Sequence, residues 1–481
     1  MGARGITLAG TAAATLATAL ALAAPAPAAT IEVTTTNDEL QTGLSNLLCS
    51  LREAVHSAKE NDPIGGCSTG QQAKTDVIKL DAETYELDIP TTDEAANLNG
   101  DLDAGGDLTI RGKGSDDTQI LTGLDDRVIE YNGSEAVLTL ERLEVSGGFA
   151  ADNVEEAGGN ILMVQGKLVT DEVESENSFA EAGGAIAFKN GTNGLLKNTR
   201  VTGAGAELLG GAIVLRNDSP LKVKRSLFIN NEVDSDADAR GGAIDNSDGN
   251  LRISDSAFID NRVETSGSGA VANGGAIFAD DSIKIERSLF AANSAQAFSP
   301  TGAEAGGAIF HVTSEPSSIA NSTFFDNDTG GSGGAIATNA GALGVSHSSF
   351  LSNDAAEGGH LYEFSSGNLK VRSSILPEPI SGTGCFALGD DTIKSQGHNV
   401  FGFESPECPA KASDKVAADV GYKAEGLADN GGPTDTIALK KSSKAVDRVP
   451  INGCPTVDQR RADRPAGKKC DAGAFERGAN P

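Results

Sequence analysis

Residues 241–261 read GGAIDNSDGNLRISDSAFIDN, and the pieces of this stretch recur along the chain. Its opening, Gly241-Gly242, has counterparts at Gly158-Gly159, Gly183-Gly184, Gly210-Gly211, Gly274-Gly275, Gly306-Gly307, Gly333-Gly334 and Gly358-Gly359. Successive pairs lie 25, 27, 31, 33, 32, 27 and 25 residues apart, and six of the eight copies continue as Ala-Ile. Its closing pattern, Ser256-x-Phe258-x-x-Asn261, returns at Ser226/Phe228/Asn231, Ser288/Phe290/Asn293, Ser322/Phe324/Asn327 and Ser348/Phe350/Asn353. A fixed element at this period marks a solenoid or an array. The Gly-Gly to Phe distance is nearly constant at 16 to 18 residues, whereas Asn to the next Gly-Gly varies from 5 to 13. Each repeat therefore has a fixed part and an elastic part.

The middle of the stretch, Leu251-Arg252-Ile253-Ser254, alternates apolar and polar residues, as do Leu221–Lys224, Ile283–Glu286 and Leu369–Arg372. Period two means strands. Each repeat thus holds three short strands: the Ala-Ile run, the alternating run and the Phe run. Continuous helical patterns are missing, and a propeller blade needs four strands in about 40 residues. Three strands in one repeat fit one coil of a parallel β-helix, with coils stacked at about 4.8 Å. The five Phe then form one inward stack and the Ile of each Gly-Gly-Ala-Ile a second. The five Asn form an amide ladder at a turn. The paired glycines fit a corner that needs positive φ or close backbone approach. Ten to thirteen coils, about 50–60 Å long, are expected.

Both ends of such a stack need covering. Ser50-Leu51-Arg52-Glu53 is a capping box, and Leu51, Ala54, Val55 and Ala58 share one helical face, so a short helix is expected over the first coil. Residues 1–29 read as a secretory signal: Arg4, an Ala/Leu/Thr-rich run from Ile6 to Ala24, then Ala24-Pro25-Ala26-Pro27-Ala28-Ala29. The expected order is signal 1–29, N-terminal cap 30–75, repeats 76–380, and an irregular C-terminal cap 381–481 with four cysteines. The six cysteines, Cys49, Cys67, Cys385, Cys408, Cys454 and Cys470, form an even set that implies disulfides in an exported chain. Fifteen pairings are open; pairing of nearest neighbours is the simplest. The net charge of −30 argues against nucleic acid and anionic membranes as partners. No later stretch is apolar enough to span a membrane, and a monomer is expected.

Cys49-Ser50-Leu51-Arg52-Glu53-Ala54-Val55 resembles the motif of the bacterial CSLREA-domain proteins, where it follows a signal peptide. Gly100-Asp101-Leu102-Asp103 with Leu108-Thr109-Ile110-Arg111-Gly112 resembles their first coils. The repeats are similar to that family's right-handed parallel β-helix and, more loosely, to polymorphic outer-membrane protein repeats. Asn430-Gly431-Gly432-Pro433-Thr434, Ala445-Val446-Asp447, Cys454-Pro455, Asp458-Gln459-Arg460, Arg464-Pro465 and Cys470–Glu476 resemble the choice-of-anchor Q type of C-terminal module. The resemblance implies an all-β, right-handed parallel β-helix, secreted or at the surface of a bacterium, and no settled activity. Relatives often continue into an anchor; here Gly478-Ala479-Asn480-Pro481 points to release.

The function expected is extracellular binding, adhesion or scaffolding, with a glycan or protein as partner. The elastic segments Glu232–Arg240, Arg262–Asn273 and Ser294–Ala305 would form a row of loops along one edge. The alternative is a polysaccharide lyase or glycosidase, which needs paired carboxylates or an acidic calcium site beside Arg or Lys. Asp116-Asp117, Asp125-Asp126, Asp280-Asp281 and Asp390-Asp391 are pairs expected by chance in so acidic a chain. Asp234, Asp236 and Asp238 have the alternate spacing of a calcium loop, with Asp245 eleven residues after the first, but Ala239 stands where such loops carry Gly. Asp101, Asp103 and Asp107 read as turn residues. His56, His311, His347, His360 and His398 lack metal spacing. Asp458, Arg460 and Arg464 read as ion-pair partners in the C-terminal cap. A cleft gathering carboxylates with Arg or Lys would favour the enzyme; scattered carboxylates would favour the rod.

Overall fold

The computed structural model describes residues 29–41, 46–72, 74–90, 97–150, 157–339, 341–365, 368–389 and 392–481. All but the last residue of the signal segment 1–29, and Asp390-Asp391, lie outside them. The described chain is an all-β parallel solenoid of about 10 turns. Its main sheet system links 33 strands, and a separate 10-stranded sheet runs beside it. Three faces repeat in register. The isoleucine face stacks Ile213–Leu215, Ile244–Asn246, Ile277–Ala279 and Ile309–His311. The alternating face stacks Leu221–Lys224, Leu251–Ser254 and Ile283–Glu286. The phenylalanine face stacks Leu227–Ile229, Ala257–Ile259 and Leu289–Ala291.

The core follows from the repeat. Phe228, Phe258, Phe290, Phe324 and Phe350 stack with ring centroids 4.8, 5.0, 5.0 and 5.0 Å apart and planes within 9°. All five are fully buried. At the next corner Asn231, Asn261, Asn293, Asn327 and Asn353 form a ladder. Each Nδ2 donates to the Oδ1 of the Asn one coil on, at 2.8 or 2.9 Å, up to Asn353. The same Oδ1 also accepts the backbone N–H of the Asn before it. The serines of the motif form a second ladder, which the sequence reading leaves out: Ser226 N–H donates to Ser256 Oγ, and so on through Ser374.

The two glycines of each pair do different work. The first has φ between 60° and 77° in all eight copies. The second has no room for a side chain: a Cβ on Gly275 would lie 2.1 Å from Gly307 O. One glycine turns the corner, and the other lets the next coil approach.

Each residue of Cys49–Ala54 has a structural role at the N-terminal end. Ser50 caps α1 (Leu51–Glu60) and Glu53 completes the capping box. Leu51 and Ala54 are buried, and Cys49 bonds to Cys67. Arg52 is wholly buried and paired with Asp38 at 2.7 and 2.9 Å. It also donates to the carbonyls of Gly100 and Asp101, which ties the helix onto Leu102–Ala104 of the first coils. Asp101 and Asp103, read as turn residues, are buried beneath this helix.

Two expectations need correction. The elastic segments are strands, not loops. Glu232–Ser235, Arg262–Thr265 and Ser294–Ala297 pair in parallel, as do Ala239–Arg240, Val271–Asn273 and Ala303–Ala305. They form a fin with its own small core of Ala206, Val233, Ala239, Val263, Ala272 and Ala295. Variable length had hidden the period-two pattern that places these small residues inside.

The parallel stack also passes residue 380. Cys385–Ala387, Lys394–Gly397, Val400–Phe401 and Lys415–Val416 each pair with the preceding coil. The remaining segment, from about Val420, does not plug the end. It folds back along the phenylalanine face, burying Val420, Tyr422, Ile437 and Leu439 against Ile375 and Val400. Disulfides Cys385–Cys408 and Cys454–Cys470 staple this region. Asp458 pairs with Arg460 at 2.7 Å, as expected, while Arg464 faces Glu476 at 3.5 Å.

Candidate binding face

In a β-solenoid, one residue in two on each strand points outward, so the open surface is set by what covers each face. On the isoleucine face the outward residues Val214, Asp245, Phe278, Phe310, Ala337 and Tyr362 are all buried. Arg240 from the fin lies 4.4 Å over the Phe278 ring and pairs with Asp245 at 2.6 Å. On the phenylalanine face the tail covers the outward Thr323, Ser349 and Ile375. Thr323 donates to Gln459 Oε1 at 2.7 Å, and Ser349 Oγ accepts from Ala474 N–H at 3.0 Å. Further back, Arg461 binds Asp255 with two bonds of 2.9 Å. Burial alone would raise the Asp255 carboxyl, but hydrogen bonds from Arg461 and Arg287 outweigh it and hold the group down at about 2.

The alternating face is different. Its outward residues Lys222, Lys224, Arg252 and Lys284 are exposed. Lys222, Arg252 and Lys284 stand one above the other in register. Two neighbouring hollows of about 350 and 360 Å³ open here, sharing Leu195, Lys222 and Arg252 and extending to Asn193 and Asn250. Lys284 pairs with Glu286 at 2.8 Å. Among the described residues, Lys222, Lys224 and Arg252 make no ion pair.

Carboxylates gather elsewhere. An open cleft of about 440 Å³ beside the fin is lined by Glu304, Asp328 and Asp354, with Gln296 and Phe298. Burial raises the carboxyls of Glu304 and Asp328, each further raised by an acidic neighbour. Asp354 accepts from Ser381, and no Arg or Lys lines this cleft. The three carboxylates of this cleft thus stand apart from Lys222 and Arg252, although Glu286 lines the hollow beside Lys284.

Asp234, Asp236 and Asp238 are exposed on the fin, and Asp238 accepts Val271 N–H at 2.9 Å. Among the described residues no group of three His, Cys, Asp or Glu is placed to hold a metal ion. Asp245, the fourth member of the calcium spacing, is instead buried under Arg240. The cationic column was missed by the sequence reading, although its signal was present: Lys222, Arg252 and Lys284 occupy equivalent places in consecutive alternating runs.

Three histidines are structural. Burial holds the His311 and His360 imidazoles down at about 4 and that of His347 at about 3. His360 closes the Asn ladder: Nε2 faces Pro377 O at 2.8 Å, and Nδ1 faces Asn353 Nδ2 at 3.3 Å. A neutral ring satisfies both contacts, donating from Nε2 and accepting at Nδ1. A base with a depressed folded pKa stabilises the fold fully above its ordinary pKa, near 6.5, and loses that contribution as pH falls toward 4. The ring resonances of these three histidines are expected to stay fixed between about pH 8 and pH 5 in the folded protein, and to titrate near 6.5 in urea. A folded midpoint above about 6 would contradict the assignment.

No protein-family model matches the chain, and no curated protein matches it. Three disulfides belong to oxidising, extracellular-type surroundings. No described helix is long and apolar enough to cross a membrane.

Proposed function

We propose that this protein is an extracellular, non-enzymatic binding rod that holds a polymeric glycan or a protein along its alternating face. The observation that carries this reading is the unequal cover of the three faces: the outward residues of the isoleucine face are buried, the tail covers the later coils of the phenylalanine face, and the alternating face is left open over consecutive coils. Binding to a rigid preformed surface avoids ordering costs. The signal-like residues 1–29 support export, Cys49–Val55 supports kinship with the CSLREA-domain proteins of bacteria, and the Asp458 to Glu476 motifs support a C-terminal module of the choice-of-anchor Q type.

Gly344 lies on this face with open space above its Cα, so Gly344→Trp blocks the face without disturbing the core. Purified protein is expected to be retained by at least one of a panel of neutral and acidic polysaccharides, without cleavage, and Gly344→Trp to lose that retention. Retention unaffected by the tryptophan would move the site elsewhere.

A second reading, a glycoside hydrolase, draws on the raised carboxyls of Glu304 and Asp328 in one open cleft. Release of reducing sugar that is abolished by Glu304→Gln would establish it over the rod.

A further inference from the structure

The outward column of the alternating face carries Lys222, Arg252 and Lys284, one per coil. It continues through the small residues Ser318 and Gly344 to Lys370 and Lys394. Like charges on neighbouring strands, about 4.8 Å apart, repel one another. The chain has 68 acidic residues against 38 Lys and Arg, so neutralising partners are plentiful, yet Lys222 and Arg252 have none among the described residues. Lys284 is already paired with Glu286, but Lys222 and Arg252 stay uncompensated on so acidic a protein, and an anion lying along the column balances them. One coil before Lys222, Leu195 stands in the same column and offers an apolar patch, and Asn193 and Asn250 beside it offer amides, groups suited to sugar rings and hydroxyls. A thin, extended chain can follow this strip while avoiding the rest of the anionic surface. A wide duplex, charged on every side, cannot.

We infer that this column seats a linear anionic glycan, with carboxylate or sulfate groups on successive sugars, lying parallel to the solenoid axis. The inference rests on the binding-rod reading and adds the charge class and direction of the partner.

The test is affinity electrophoresis of the full chain in gels containing polygalacturonate, dextran sulfate, neutral dextran or a single-stranded oligonucleotide. The variants are K222Q/R252Q/K284Q and, with the same net charge, K441Q/K444Q/K468Q on the exposed tail. Wild type is expected to be held by polygalacturonate or dextran sulfate, and the preferred one identifies the anionic group. The column variant is expected to bind about tenfold more weakly and the tail variant to match wild type. Added salt should weaken the wild-type interaction. The column variant should melt close to wild type, since relief of repulsion between Lys222 and Arg252 offsets loss of the exposed Lys284–Glu286 pair. Equal binding by the column variant, or equal retention by neutral dextran, overturns the inference and leaves the rod intact. Preference for the oligonucleotide overturns the glycan class. Retention by none of the polymers overturns both readings.

Discussion

Asn293→Leu is expected to destabilise the solenoid by about 3–9 kcal/mol, from three buried groups orphaned at about 1–3 kcal/mol each. Asn293 Oδ1 accepts both the backbone N–H and the Nδ2 of Asn261, and its own Nδ2 donates to Phe258 O at 3.0 Å and to Asn327 Oδ1, which keeps the Asn293 backbone N–H in the variant. Leucine nearly matches the shape, so the loss reports hydrogen bonding rather than a cavity. The first rung supplies a graded control. Asn231 accepts only the Ala204 N–H and donates to Val201 O and Asn261 Oδ1. Asn231→Leu therefore orphans one donor fewer and should cost less. Urea denaturation of both variants measures the difference; equal losses would show that the ladder does not act rung by rung.

The second large effect is at the N-terminal end. Arg52 and Asp38 are both essentially inaccessible to solvent. Arg52→Met leaves the Asp38 carboxylate buried without its cation, which costs about 3–5 kcal/mol. Replacing both as Arg52→Met with Asp38→Leu should restore part of that stability, because no lone charge is left buried, while the Gly100 and Asp101 carbonyls and the Asp88 and Ile89 N–H groups still lose their partners. Hydrogen exchange at Ile31, Ile78 and Ile110 is the appropriate readout, since these core strands lie in the coils next to the helix. Unchanged protection in Arg52→Met would mean that the helix is not held by this pair.

The core was legible in the sequence because repetition samples one environment many times. Five Phe and five Asn at constant offset from Gly-Gly can only be stacked columns, and the structure places them so. The fin was illegible for the converse reason: lengths that vary from coil to coil obscure register, and Val233, Val263 and Ala295 show their equivalence only once paired. The tail has no period to follow, and its partners lie far away in the chain. The last coils lack the Gly-Gly mark, with Gly384 standing alone before Cys385. The cationic column was written in the alternating runs, but an alternation says which residues face out and not that two other faces are covered.

The tail has a bearing on the order of assembly. Contacts between coils join residues some thirty positions apart, whereas Arg461 reaches Asp255 across 206 positions and Ala474 reaches Ser349 across 125. Closing the longer loops costs more chain entropy, and their binding surface exists only after several coils have formed. A chain emerging N-terminus first would build its helix and coils early and acquire the tail last. Until then Phe325, Leu351 and Ile375 form an uncovered apolar strip, which makes that interval the one in which a folding molecule is most prone to associate with its neighbours.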